Sequence, residues 1–293
     1  MNQPLRRLTI SVVAIAAVAV IAWHARPGDS APRPPAPNDV TIVTRDFAFD
    51  APDSIPAGIT TIHVENHGPN LHQVAIVRLD SGHTVEDFRA ALERKGSWPT
   101  WVTYLGGPTT TAPGTVATAT VHLPPGQYMI ACLVHALDDV SHAMESHTRG
   151  MMRPLTVTGV DGPATLPRAD AMLTLANYGF TLSQPLMPGK HVIRVRNTAP
   201  QPHEVQLVRL PPGTSIADIP RWLRTRTGPL PGTLVGGLTP ITRGIEANIV
   251  VDLEPGEYGL ICFLPDAHDG QPNFTHGMMR QITVGGLLAR RLP

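Results

Sequence analysis

Residues 60–66 read Thr-Thr-Ile-His-Val-Glu-Asn, with Ile62 and Val64 on one face and polar side chains on the other. That alternation predicts a half-buried strand. Residues 191–197 carry the same pattern. Each run ends in a turn, Gly68-Pro69-Asn70 or Ala199-Pro200-Gln201-Pro202. A second apolar run then follows at 73–79 and 204–210. From Thr84 to about Arg94 the period changes. Thr84 is a helix N-cap, and Val85, Phe88 and Leu92 form one apolar face. Ser215 opens the matching piece, which Pro220 shortens or breaks. Strands are predicted again at 116–121 and 247–252, and after a Pro-Gly turn at 127–132 and 257–262. Last strands are expected at 153–157 and 280–284. Along the cysteine strands, Tyr128, Ile130 and Cys132 share a face, as do Tyr258, Leu260 and Cys262. Short strands, Pro/Gly turns and one inserted short helix per half predict an all-β fold of two tandem antiparallel Greek-key β-sandwiches.

The pattern occurs twice because the chain is duplicated. Phe49/Phe180, Asn66/Asn197, His72/His203 and Arg78/Arg209 are each 131 positions apart. After one deletion, Gly126/Gly256, Tyr128/Tyr258 and Cys132/Cys262 are 130 apart. A period this long implies two whole domains rather than a solenoid, and 293 residues suffice for two cores. The expected boundaries are 39–159 and 168–286. The connection at 159–170 holds Pro163 and Pro167 and reads as a fairly stiff linker.

Residues 1–38 belong to neither repeat. Arg6 and Arg7 precede an apolar run over 8–23, then a Pro-rich stretch. This reads as an export signal, or as an uncleaved membrane anchor since the run is near the lower limit for spanning. The repeats are therefore expected in the periplasm or outside the cell. Charge is balanced, with 23 basic and 23 acidic residues and no basic stripe, so a nucleic-acid partner is not expected.

Chemistry concentrates at matched positions. Cys132 and Cys262 are the chain's two cysteines. Each is followed by a His-bearing loop and by Gly-Met-Met, at 150–152 and 277–279, and each is preceded by His72 or His203. The Gly-x-Tyr-x-x-x-Cys strand, the later His and Met and the earlier His in a loop opened by Asn resemble the cupredoxin (blue, type 1 copper) family. The resemblance covers both repeats and diverges in the ligand loop. It implies copper, one or two ions, held by two imidazoles and a thiolate in a plane with a weak axial thioether. Carried over, the ligands would be His72, Cys132, His147 and Met151 in the first repeat and His203, Cys262, His276 and Met278 in the second. His135 and His142 in the first loop, and His268 in the second, are alternatives for the second imidazole. Asn273 stands where a divergent exported group has that histidine.

Read singly, each residue has a plainer explanation: a small buried Cys, gap-filling Met, a His bonded to a loop. Zinc would also accept Cys and His, whereas the thioether favours copper. A Cys132–Cys262 disulfide is not expected, since the ends of two separate sandwiches need not meet. No His-x-His pair occurs, and no His adjoins either cysteine. The sequence thus predicts a non-enzymatic protein for electron transfer or copper handling, with a redox partner protein. The other reading is a cupredoxin-fold binding or structural module without metal.

Overall fold

The computed structural model describes residues 36–93, 99–134 and 151–285. Residues 1–35 of the expected export segment and the histidine loop 135–150, with His135, His142 and His147, lie outside the described residues.

The first repeat runs β1 (Asn38–Arg45), β2 (Ala48–Asp50), β3 (Ser54–Pro56), β4 (Gly58–Asn66), β5 (Ala75–Leu79), α1 (Val85–Glu93), β6 (Val102–Gly106), β7 (Val116–Leu123), β8 (Gly126–Ala131) and β9 (Met152–Thr158). The second runs β10 (Ala171–Ala176), β11 (Gly179–Leu182), β12 (Gly189–Asn197), β13 (His203–Leu210), α2 (Asp218–Thr225), β14 (Thr233–Ile241), β15 (Glu246–Leu253) and β16 (Gly256–Ile261). A 3-10 turn at Asn273–His276 and β17 (Met279–Val284) complete it. The architecture is a cupredoxin-like β-sandwich. Most strand pairs are antiparallel, whereas β1–β4, β3–β9 and β10–β12 are parallel.

The elements form for the expected reasons. Along β4, buried residues alternate strictly with less buried ones. Thr84 and Asp87 cap α1 reciprocally: the Asp87 carboxylate accepts from the Thr84 N–H at 2.8 Å, and the Thr84 hydroxyl accepts from the Asp87 N–H at 3.2 Å. Val85 and Phe88 are buried beneath it. Pro220 falls in the first turn of the eight-residue α2, where backbone N–H groups have no helical partner to lose.

Each sheet crosses from one repeat into the other. The eight-stranded sheet runs β2-β1-β4-β7-β15-β12-β10-β11, and the nine-stranded sheet β3-β9-β8-β5-β6-β14-β13-β16-β17. At the seam, Thr118, Ala119 and Thr120 of β7 pair antiparallel with Val250, Ile249 and Asn248 of β15. Ala119 and Ile249 are the same position of the two repeats. The bridge between Pro108 and Leu238 also joins equivalent residues. Equivalent meeting equivalent is the signature of a local two-fold axis. Further bonds cross it: Thr242 N–H to the Tyr104 carbonyl (2.9 Å), Thr239 N–H to the Gly107 carbonyl (3.0 Å) and Thr109 hydroxyl to Gln206 Oε1 (3.1 Å). The repeats are thus joined through both sheets as well as through the linker.

Gly107 and Gly237 set this seam against the site-bearing strands. A Cβ there would stand 2.1 Å from the Val74 carbonyl oxygen or 2.0 Å from that of Val205, at φ 145° and 141°. No other residue fits. Val74 and Val205 lie two residues beyond His72 and His203.

Candidate metal centre

The loop before each histidine is folded around a buried asparagine. Asn66 Nδ2 donates to the carbonyls of Asn70 (2.7 Å) and Thr111 (2.8 Å), while its Oδ1 accepts from the Gly68 N–H (2.9 Å). Asn197 repeats this with Gln201 (2.8 Å), Ile241 (2.8 Å) and Ala199 (2.9 Å). Each asparagine closes its loop so that the following histidine points inward. His72 and His203 are completely buried.

The cysteine strands β8 and β16 deliver sulfur to the same place. His72 Nδ1 stands 3.9 Å from Cys132 Sγ, and His203 Nδ1 stands 3.9 Å from Cys262 Sγ. The Cys132 N–H donates to the Met151 carbonyl (3.0 Å) and the Cys262 N–H to that of Met278 (3.2 Å), and both methionines are fully buried. His72, Cys132 and Met151 therefore come together, as do His203, Cys262 and Met278. Neither cysteine is in a disulfide.

The other ring nitrogen of each histidine has its own partner. His72 Nε2 lies 3.0 Å from Asp46 Oδ1, in the turn between β1 and β2 where Phe47 adopts φ 63°. A carboxylate only accepts, so Nε2 carries a proton, and in the neutral ring Nδ1 presents its lone pair toward sulfur. His203 Nε2 lies 3.2 Å from Asn177 Oδ1, beside Tyr178 at φ 60°. Asp46 and Asn177 are equivalent positions that the sequence reading missed. Their constant separation of 131, the same as His72/His203, was the available signal.

The donor set fits a soft metal ion. Thiolate and imidazole bonds of about 2.3 and 2.0 Å, opened by about 120–130°, set their donor atoms ~3.7–3.9 Å apart. The observed separation of 3.9 Å lies in that span. The carboxylate behind His72 is the outer support that metal-bound imidazoles use.

The second repeat has four features of note, and one corrects an expectation. His276 does not reach the Cys262 pair. It sits exposed, with Nε2 3.2 Å from Asp269 Oδ2 and its ring 5.0 Å from that of Tyr178. Among the described residues, the cluster of close metal-type donors that includes it is Asp266, Asp269 and His276, not the cysteine site. His276 is adjacent to Gly277, at the end of the 3-10 turn, and faces outward. His268 is exposed too, and its N–H donates to Asp266 Oδ1 (2.8 Å). Second, Asn273 is fully buried. Its Nδ2 donates to the Leu264 carbonyl (2.9 Å), and its Oδ1 has no hydrogen-bond partner. Third, Asn177 replaces the charged support. Fourth, the buried residue after the histidine is Glu204, where the first repeat has Gln73.

Glu204 accepts from the Phe263 N–H at 3.0 Å. Burial pushes its carboxyl up to about 7, against the pull of the Phe263 and Leu264 N–H groups. Burial lowers His203 to about 4, opposed by Asp266. Burial and then the Glu204 charge push the Cys262 thiol well above the usual thiol range. All three groups are most stable uncharged, as apolar surroundings dictate.

No protein-family profile and no curated protein sequence matches the chain. Solved structures do. Auracyanin A, a blue copper protein from Chloroflexus aurantiacus, is 20% identical over 42% of this chain and 100% of its own, with a TM-score of 0.30. A copper nitrite reductase from Nitrosomonas europaea is 15% identical over 85% of this chain and 93% of its own, TM-score 0.25. A blue copper oxidase from the same organism is 14% identical over 85% and 86%, TM-score 0.23. The last two are enzymes and match across both repeats. That corrects the expectation that a chain of this kind is non-enzymatic.

Proposed function

We propose that this is an exported copper protein in which the first repeat carries the working site. Its ligands are His72 Nδ1, Cys132 Sγ, the Met151 thioether and an imidazole from the loop 135–150, with His147 preferred. Copper held in this way moves between two oxidation states with little rearrangement. The protein's part is to exclude water, to hold the His72 tautomer through Asp46, and to keep sulfur and nitrogen facing each other before the metal arrives. Export, a redox partner protein, and the division into domains at 39–159 and 168–286 belong to this proposal.

The observation that carries it is the facing pair of Cys132 and His72, completely buried, with a carboxylate on the far ring nitrogen. A thiol placed only to fill space has no need of that carboxylate. For the second repeat, the outward His276 and the buried Asn273 favour the metal-free reading, a structural copy that retains His203, Cys262 and Met278.

Reduced protein loaded with Cu(II) should show a strong thiolate-to-copper charge-transfer band. Cys132→Ser should abolish it, and Cys262→Ser should leave most of it. A colourless protein without stoichiometric copper sinks the proposal; colour lost only in Cys262→Ser assigns the site to the wrong repeat.

A further inference from the structure

Arg78 and Arg209 are equivalent, yet among the described residues only Arg209 has an acidic partner, Glu254. The first repeat has Pro124 at the Glu254 position. Among the described residues, Arg78 has a single long hydrogen bond, 3.5 Å to the Pro125 carbonyl, and it lies against the backbone of Gly126. Partly buried, it borders an open cavity of about 400 Å³ at the seam between the repeats. Leu105 of the first repeat and Ile245 and Arg194 of the second also line this cavity. Residues 164–166 of the linker cover one side, held there by Arg194 Nη2, which donates to the carbonyls of Leu166 (3.2 Å) and Pro167 (2.7 Å).

The acidic groups around the cavity have other partners. Glu246 is engaged by Arg194 and Arg196, both at 3.5 Å. Asp161 is engaged by His122 at 2.8 Å. Among the described residues, no carboxylate pairs with Arg78. A guanidinium fork with one long hydrogen bond at a cavity wall is open to a bidentate carboxylate. The volume falls in the range of small-molecule sites, about 300–1,000 Å³.

We propose that this cavity binds a small carboxylate with a short apolar body. Arg78 grips the carboxylate with its planar fork, the pairing that guanidinium geometry favours. Leu105 and Ile245 receive the apolar part. The ligand touches both repeats and lies beneath the linker.

Isothermal titration of the purified protein with benzoate, its neutral isostere benzamide, and inorganic phosphate tests this. Saturable benzoate binding is expected, with none for benzamide. Arg78→Gln should weaken benzoate at least tenfold, while Arg209→Gln should leave it unchanged. Thr165→Trp, a change on the exposed linker, should block the cavity and abolish binding without lowering the unfolding midpoint. The idea is overturned if benzoate does not saturate, if benzamide or phosphate binds as well, or if either Arg78→Gln or Thr165→Trp binds benzoate like the wild type. Should Arg78→Gln fail to fold, Thr165→Trp decides alone.

Discussion

At the scale of single residues, the neighbours His203 and Glu204 oppose each other in their response to pH. His203 is lowered from 6.5 to about 4, so its contribution to stability is lost as pH falls through that window. Glu204 is raised from 4.5 to about 7, so its contribution is lost as pH rises through that one. Between pH 4.5 and 6.5 the folded pair binds one proton, on Glu204, and the unfolded pair also binds one, on His203. Their joint contribution is therefore flat there. Glu204→Gln, which copies Gln73 of the first repeat, removes one half of the balance. The metal-free variant should lose about 1.4 kcal/mol per pH unit relative to wild type on acidification from 6.5 to 4.5, or a few degrees of melting temperature. Melting curves that stay parallel across this range would refute the pairing. None of this was readable in the sequence. A histidine followed by a glutamate gives no hint of which charges burial will suppress.

At the scale of elements, the turn between β1 and β2 and the loop before β5 work as one device. Gly68 is where they touch: a Cβ there would lie 2.9 Å from both Asp46 Oδ1 and His72 Nε2. Gly68→Ala should therefore part the two. Loss of an outer partner of this kind costs about 10–100-fold in metal affinity, and leaving a buried polar group unpaired costs about 1–3 kcal/mol. Competitive copper titration and thermal unfolding measure both; unchanged affinity would mean that Asp46 does not support His72. Ala199 at the matching position coexists with the looser His203–Asn177 contact. The alternation that announced β4 and β12 was legible because each has one better-buried face, whereas β8 and β16 are buried on both and were announced by the Pro-Gly turn before them. The β1–β2 turn was not, because Asp-Phe carries no usual turn signature and Phe47 takes positive φ only under tertiary constraint. Asp46 went unnoticed with it.

At the scale of the whole molecule, duplication was plain from the constant offsets, and so were the sandwich and the two sets of His, Cys and Met. The seam was not. A glycine pair ends β6 and another interrupts the side-chain pattern of β14, and the pattern of β7 says which face is buried but not which strand lies beside it. The position of the second imidazole was also beyond the sequence. Spacing to Gly-Met-Met ranked His276 first, whereas the 3-10 turn directs it outward and leaves Asn273 inside.

The antiparallel seam has a practical consequence. Because equivalent strands close on each other about Ala119 and Ile249, the covalent thread over 160–165 is not what keeps the halves in register. Cutting it should yield a nicked particle, not two fragments. Co-expressed pieces ending at 162 and starting at 163 should find one another and co-elute one to one. Ala119→Arg, which forces a charge into the fully buried centre of the junction, should scatter them; pieces that elute separately without that change would contradict the seam. A split reporter could then be built on this chain, its reassembly read by the return of whatever colour Cys132 confers.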